Sequence, residues 1–238
     1  MSGALRIARE SYQITSVDPH EVMRYLGYQG QELSEDLSRR IAQTTARCLE
    51  LARPRGCIST FRVSERSDDA VVLEGCALAL TGHDISAHLA DATEVALFAV
   101  TLGADVDREL RRLSLTDALG QVVLDAAATA LVERAADAAE AHVRSYAADM
   151  GAFASWRFSP GYGDLSLAIQ GTFLSVLDAT RQLGITLTPS DLMVPTKSVT
   201  AIVGIHPTPQ PDFVPSCSTC NLAEFCTIRT TGRTCREP

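Results

Sequence analysis

The feature that most restricts the fold is an apolar run at residues 95–102, with the sequence VALFAVTL, which ends at Gly103. A strand with one face in water alternates apolar and polar residues, whereas a strand covered on both faces is almost continuously apolar. We therefore predict a central strand at this position, buried by further elements on both of its sides.

The other segments are grouped along the chain rather than strictly alternating between helix and strand. Helices are predicted at 18–28, 33–52, 105–113, 116–148 and 165–183, and further strands at 57–63, 70–73, 78–81 and 197–205. The longest helix has small and aliphatic residues on one face, and on another face a polar stripe of Asp125, Thr129, Glu133 and Asp137. Grouped elements of this kind favour an α+β fold over a doubly wound α/β fold.

Composition and charge exclude several classes of function. Apolar residues make up 46% of the 238 residues and charged residues 21%, which is typical of a folded chain rather than a disordered one. The net charge of −8 repels phosphate backbones, so nucleic acid is not an expected partner. No apolar run reaches the roughly 18 residues that span a bilayer, and the N-terminus lacks an apolar signal core. We expect no membrane association and a cytoplasmic location.

The last part of the sequence contains four cysteines with the spacing C-x2-C-x5-C-x8-C, namely Cys217, Cys220, Cys226 and Cys235. In a reducing compartment, such a group is more typical of metal ligands than of disulfides. Four thiolates satisfy either a tetrahedral zinc ion or an iron–sulfur cluster. The spacing departs from the usual zinc ribbon and favours a 4Fe–4S cluster. Because the composition changes at Pro207, we predict two units, 1–206 and 207–238.

A second candidate site is the loop at 157–164, with the sequence RFSPGYGD. Its Pro-Gly turn allows a ligand to approach the main chain, and the Arg157 guanidinium can bind a carboxylate with two hydrogen bonds. From the residues alone, a surface turn with a solvated arginine is also open. The sequence has no Walker A loop, no GxGxxG and no GxSxG, which removes the main support for ATP, dinucleotide and serine-hydrolase functions.

Several motifs around this loop resemble one known family. They are Arg157-x-x-Pro-Gly-Tyr162, Ile185-Thr-Leu-Thr-Pro-Ser190, Met193-x-Pro195, Lys197-Ser-Val-Thr-Ala-Ile202 and, upstream, segments at 21–28, 101–103 and 124–133. Over residues 14–206 the chain resembles the reactivation domain of cobalamin-dependent methionine synthase, in particular its free-standing versions. The resemblance implies an antiparallel or mixed sheet flanked by helices, followed here by the Cys-rich tail.

The resemblance also implies a function, the reductive reactivation of a partner protein that carries cobalamin in the inactive cob(II) state. An electron reduces the cobalt, and S-adenosylmethionine supplies the methyl group. By the same resemblance, Arg157 contacts the carboxylate of this ligand and Glu133 contacts its amino group. Pro160, Gly161 and Tyr162 match the turn that lies along the ligand and faces the corrin. The implied task is positioning, with no catalytic acid or base.

The cobalamin is expected on a separate partner, either cobalamin-dependent methionine synthase in methionine biosynthesis or another corrinoid protein. A flavodoxin, a ferredoxin or a cluster in the tail is the expected electron donor. The sequence departs from the family after Tyr162, where it continues Gly-Asp-Leu-Ser-Leu167 instead of a Pro-Ala-Cys-Pro-like stretch. Two alternatives therefore stay open: a non-catalytic module that binds a corrinoid protein and has a structural zinc tail, and a cluster-based reductase of corrinoids.

Overall fold

The structure is a computed structural model that describes residues 4–28 and 30–210. Its strands are β1 (Arg6–Ser11), β2 (Arg55–Arg66), β3 (Ala70–Leu73), β4 (Ala79–Thr81), β5 (Glu94–Thr101), β6 (Phe153–Ala154), β7 (Thr186–Leu187), β8 (Met193–Val194) and β9 (Ser198–His206). Its α-helices are α1 (Pro19–Tyr25), α2 (Glu35–Leu51), α3 (His83–His88), α4 (Ala104–Thr116), α5 (Ala118–Asp149), α6 (Gln170–Val176) and α7 (Ala179–Leu183). Within these residues, seven strands form one antiparallel sheet in the order β4-β3-β2-β5-β9-β6, with β1 also paired to β2, and β7 and β8 form a separate hairpin.

Strand β5 lies between β2 and β9 and is antiparallel to both. Every second side chain from Ala96 to Val100 packs towards α5, in a core shared with α1, α2 and α4. The intervening side chains, from Val95 to Ala99, pack on the opposite side with α3, α6 and α7. The predicted central strand is therefore confirmed, because it is covered on both faces by helices. The α+β class is confirmed as well.

Helix α5 accounts for the long helical segment of the sequence. The Asp117 side chain caps it by accepting a hydrogen bond from the Gly120 backbone N–H at 2.9 Å. Alanines make up much of its buried face, and such small side chains let the helix lie close to β5 and β9. The polar stripe from Asp125 to Asp137 stays partly or fully exposed, as predicted.

Strand β9 is covered on both faces, by α5 on one face and by Phe158 with α6 on the other. Two local features differ from the prediction. The predicted helix at 165–183 is divided into a 3-10 turn, α6 and α7, since Asp178 adopts a left-handed conformation with φ of 53° between the two helices. Strand β1 was not expected, because its polar sequence pairs only at an edge of the sheet.

Among residues 4–28 and 30–210, no helix has both the length and the hydrophobicity needed to cross a bilayer. In the same part of the chain, no group of three or more His, Cys, Asp or Glu side chains is arranged to hold a metal ion. The four cysteines at 217–235 lie outside the described residues, so the metal site proposed for them stays a prediction.

Candidate functional site

A cleft of about 580 Å³ opens at the outer edge of β9. Strand β6 pairs only with the last two residues of β9, and Phe158 forms a single antiparallel bridge with Ile202. The segment at 155–164 is here called the cleft loop. After that bridge it turns away from the sheet, so that the first residues of β9 line the cleft. The lining residues come from α5, the cleft loop, the start of α6, β8 and β9: Glu133, Asp137, Glu140, Trp156, Arg157, Ser159, Pro160, Tyr162, Leu167, Gln170, Met193, Ser198, Val199 and Thr200.

One wall of the cleft is a carboxylate cluster on α5, formed by Glu133, Asp137 and Glu140. Spacings of four and three residues place these side chains on one helix face. All three accept hydrogen bonds from Arg157 of the cleft loop, at 2.8 Å from Glu133, 2.8 Å from Asp137 and 2.9 Å from Glu140. The second oxygen of Glu140 accepts from Nε of Arg144 at 3.1 Å. The cluster therefore fixes Arg157 in one orientation.

The Arg157 guanidinium is mostly buried, with 24% of its side chain exposed. Burial alone lowers its pKa, but the bonds to Asp137, Glu140 and Glu133 outweigh that effect, and the net pKa of Arg157 lies above its ordinary value. Of the five N–H groups of a guanidinium, three are used by the cluster. Within the described residues, the other two have no recorded acceptor, so they are available to a carboxylate that enters the cleft.

The opposite wall is the Pro-Gly-Tyr turn of the cleft loop. Gly161 has φ of 92°, a conformation that favours glycine, and its N–H donates to the carbonyl of Leu165 at 2.8 Å. The Tyr162 N–H donates to the carbonyl of Ser159 at 3.0 Å. The Tyr162 ring lies edge-on to Phe158, with 6.2 Å between ring centroids, and the residue is 59% exposed. The turn is therefore held by its own backbone, and Tyr162 stands at the rim of the cleft.

The lining residue Trp156 packs at a tilt against His88 of α3, with 4.2 Å between ring centroids. Nε2 of His88 lies 3.0 Å from the hydroxyl of Ser155. Burial is the main cause that lowers the pKa of His88 to about 4; a backbone hydrogen bond at Trp156 opposes the shift and the nearby His206 adds to it. Burial also lowers the pKa of His206. Both rings are thus held in the neutral form in the folded state.

The lowered pKa of His88 predicts that the fold loses stability in acid. A histidine whose folded pKa is depressed stabilises the fold above its unfolded value of about 6.5, and this contribution is lost as the pH falls towards about 4. We expect His88→Phe, which keeps an aromatic ring but cannot titrate, to reduce the loss of unfolding free energy between these pH values by about 2 kcal/mol. Urea unfolding at a series of pH values measures this. Parallel profiles of the two proteins would contradict the assignment.

The cleft brings together four of the five residues proposed from the sequence for ligand binding, Glu133, Arg157, Pro160 and Tyr162, and Gly161 lies between the last two. In the structure, Glu133 and Arg157 are partners of each other as well as lining residues. The sequence reasoning assigned no site role to Asp137, Glu140, Trp156 or Gln170. The spacing of Glu133, Asp137 and Glu140 was the available signal for the cluster.

The remaining part of the polar stripe on α5 has a separate partner. Nζ of Lys197 lies 2.8 Å from Asp125 and 2.9 Å from the hydroxyl of Thr129, and the Lys197 side chain is largely buried. This contact ties the start of β9 to α5 one helical turn before the carboxylate cluster. It therefore supports the first residues of β9, which line the cleft, although Lys197 is not a lining residue itself.

The comparison with solved structures gives a match to the MetH reactivation domain in a crystal structure with bound AdoHcy. The match has a TM-score of 0.66 and 17% sequence identity, and covers 98% of this chain and 88% of that chain. At this identity the likeness establishes the shared fold. Among curated proteins, no sequence matches with significance.

The sequence profile of one family, described as vitamin B12 dependent methionine synthase, activation domain, matches residues 83–227. This segment is more than half of the chain and contains α3, the carboxylate cluster, the cleft loop and β9. It passes the unit boundary predicted at 206, which stays a prediction. The resemblance inferred from the motifs is confirmed, and the chain belongs to the family of activation domains of vitamin B12-dependent methionine synthase.

Proposed function

We propose that the chain binds S-adenosylmethionine in the cleft and reactivates a partner protein whose cobalamin has reached the cob(II) state. One electron reduces cob(II) to cob(I). The cob(I) centre then attacks the sulfonium methyl group, so that a carbon–sulfur bond breaks and a cobalt–carbon bond forms. S-adenosylhomocysteine leaves as a neutral thioether with both electrons of the broken bond. No proton is transferred, so the step needs positioning rather than an acid or a base.

The observation that carries the proposal is the fixed Arg157 in a cleft of suitable size, in a chain of this family. The volume of about 580 Å³ lies within the range of roughly 300–1,000 Å³ that is typical of small-molecule sites. The two remaining N–H groups of Arg157 suit the methionyl carboxylate. Glu133, with 41% of its side chain exposed, and Asp137, with 55%, are accessible to the ammonium group.

Charge supports a cationic ligand as well. Counted by formal charge, Glu133, Asp137 and Glu140 contribute three negative charges, and Arg157 and Arg144 contribute two positive charges. The cluster therefore keeps one net negative charge beside the cleft. S-adenosylmethionine has one net positive charge from its sulfonium, and a complementary field favours its entry. On the other side of the cleft, Leu167 and Met193 offer apolar surface to the adenosine.

The partner is proposed to approach at the rim that Tyr162 marks. Leu192, next to the lining residue Met193, is 58% exposed and adds apolar surface at the β7–β8 hairpin. A corrin ring is a large, flat and mostly apolar surface, so it suits contact with these side chains. Cobalamin-dependent methionine synthase is the proposed partner, and another corrinoid protein is the alternative. A flavodoxin or a ferredoxin is the proposed source of the electron.

The test combines the purified chain with a methionine synthase in the cob(II) form, a low-potential reductant and S-adenosylmethionine. We expect the optical spectrum to change from cob(II)alamin to methylcobalamin only when all components are present. No methylcobalamin, together with no binding of S-adenosylmethionine by calorimetry, would favour a module that only binds corrinoid proteins. Reduction of the cobalt that is independent of S-adenosylmethionine would favour a reductase.

The tail is a separate proposal that rests on its cysteine spacing. Cys217, Cys220, Cys226 and Cys235 are proposed to hold a 4Fe–4S cluster that delivers the electron, or else a zinc ion that only stabilises the tail. Elemental analysis of protein purified without oxygen distinguishes the two. A brown chromophore that is lost in Cys217→Ser would support the cluster, and one equivalent of zinc in colourless protein would exclude it.

A further inference from the structure

Helix α3 touches the cleft loop at both of its ends. At the N-terminal end, Gly82 offers no side chain as a cap. The carboxylate of Asp164, which lies at the end of the cleft loop, takes this role. It accepts a hydrogen bond from the His83 N–H at 2.6 Å and another from the Asp84 N–H at 3.1 Å. The last residue of the loop is thus bound to the first turn of α3.

The two chain segments at this end are in close contact. A Cβ atom on Gly82 would lie 2.5 Å from a carboxylate oxygen of Asp164, and one on Gly163 would overlap the Asp84 carboxylate. Both glycines also have positive φ values, 143° for Gly82 and 52° for Gly163. A side chain at either position would displace the opposing carboxylate, that of Asp164 or Asp84, so the two glycines allow the loop and the helix to lie this close.

At the C-terminal end of α3, His88 holds the beginning of the loop. Its ring contacts Trp156 at 4.2 Å and Phe158 at 5.4 Å between centroids, and its Nε2 lies 3.0 Å from the Ser155 hydroxyl. The same hydroxyl accepts a hydrogen bond from the Gly204 N–H of β9 at 3.0 Å. Ser155 therefore links α3 to the sheet edge at the point where the cleft loop starts.

Helix α3 itself is firmly anchored. Ile85, and Leu89 just after the helix, are fully buried in the core on the α6 side of the sheet. The helix is short, about 9 Å at 1.5 Å per residue, so it bridges the two ends of the loop as one rigid unit. Between its two contacts lie Arg157 and the Pro-Gly-Tyr turn, neither of which α3 binds through a recorded hydrogen bond in the described residues.

We propose that α3 is a brace that fixes both ends of the cleft loop, and that Asp164 and His88 are positioning residues for the site. They fix the two ends of the loop, and thereby the place of the segment that contains Arg157 and Tyr162, without lining the cleft themselves. This inference rests on the proposed function for its ligand. The brace itself has a readout that needs no ligand, because Trp156 is the single tryptophan of the chain and lies in the braced loop.

The first experiment measures quenching of Trp156 fluorescence by acrylamide in the full chain without ligand. We expect Asp164→Ala to increase the quenching constant about twofold, although Asp164 is eight residues away in sequence. Asp164→Asn should restore most of the wild-type value, since an asparagine side chain is an equally good helix cap. The control is Ser34→Ala, which removes the side-chain cap of α2, where the Ser34 hydroxyl accepts a hydrogen bond from the Leu37 N–H. Equal quenching in Asp164→Ala and wild type would overturn the brace.

The second experiment is a double-mutant cycle on S-adenosylmethionine affinity. Loss of the Asp164 cap in Asp164→Ala, or of the ring contacts and the Ser155 contact in His88→Ala, should each weaken binding about fivefold. In an Arg157→Ala background, the same changes should have little further effect, because the contact they position is already gone. Full additivity would show that the two residues do not act through Arg157 and would overturn their positioning role. If wild type does not bind the ligand, the proposed function fails, while the quenching result still decides on the brace.

Discussion

Replacing Arg157 with alanine is expected to weaken S-adenosylmethionine binding by about 30-fold or more. Removing one partner of a hydrogen-bonded, largely desolvated charge pair costs about 2–5 kcal/mol, and each 1.4 kcal/mol is a factor of about ten in affinity. The loss has two sources. The ligand carboxylate loses its cation, and it then faces the negative charges of Glu133, Asp137 and Glu140, which no longer have their shared partner. Isothermal titration calorimetry measures the change, and reactivation of the cob(II) partner should be lost in parallel.

Two further variants sharpen this test. Arg157→Lys keeps the charge but not the planar fork, so we expect it to recover only part of the affinity. Arg112→Ala is the control, since Arg112 is likewise paired with a carboxylate, that of Glu109, but on the exposed surface of α4. It should bind as wild type does. Wild-type affinity in a folded Arg157→Ala protein would refute the assignment of the carboxylate site.

Replacing Phe98 with alanine is expected to have the largest effect on stability, about 3–5 kcal/mol. Phe98 is fully buried on β5 and belongs to the core between the sheet and α5. Truncation to alanine loses the free energy gained by burying the phenyl ring. It also leaves a cavity at the centre of the domain, and the neighbouring strands restrict the relaxation that would fill this cavity. Because most small domains have only about 5–15 kcal/mol in total, this variant should unfold at a clearly lower urea concentration.

Two controls distinguish the effect of side-chain volume from the effect of the position in the fold. Phe98→Leu keeps most of the volume, so a loss of less than about 1.5 kcal/mol is expected. Leu115→Ala removes an equally apolar side chain that is 88% exposed, and it should change stability by no more than about 0.5 kcal/mol. Equal urea midpoints for Phe98→Ala and Leu115→Ala would contradict the central position of β5.

Most of the fold could be predicted because its main elements carry strong local signals. The continuous apolar run of β5 requires other elements to pack on both faces of the strand. The alanine-rich segment of α5 predicts a long helix with a closely packed face. Strand β1 lacks such a signal, since an edge strand with a polar sequence is defined by its neighbour β2 rather than by its own residues. The break at Asp178 was missed because neither a glycine nor a proline marks the position at which the chain enters the left-handed region.

The candidate site was only partly predictable. Arg157 and the Pro-Gly-Tyr turn were found because their motif is local. The pairing of Arg157 with α5 joins residues that are 17 to 24 positions apart, and no spacing rule connects a loop to a helix over that distance. Gln170 and Thr200 meet across 30 positions, with 2.9 Å between the Thr200 hydroxyl and Oε1 of Gln170. Such contacts follow from the order of strands in the sheet, which the sequence pattern does not determine.

The two-sided burial of β5 has a consequence for how the domain opens. Because one strand supplies a wall to both hydrophobic cores, neither core can be exposed without disrupting the other. Local opening is therefore restricted to the periphery, and the backbone amides of β5 should exchange with solvent only through global unfolding. A ligand bound at the edge of β9 should therefore raise the free energy of unfolding of the whole domain, because the domain unfolds as one cooperative unit and only the folded state binds the ligand.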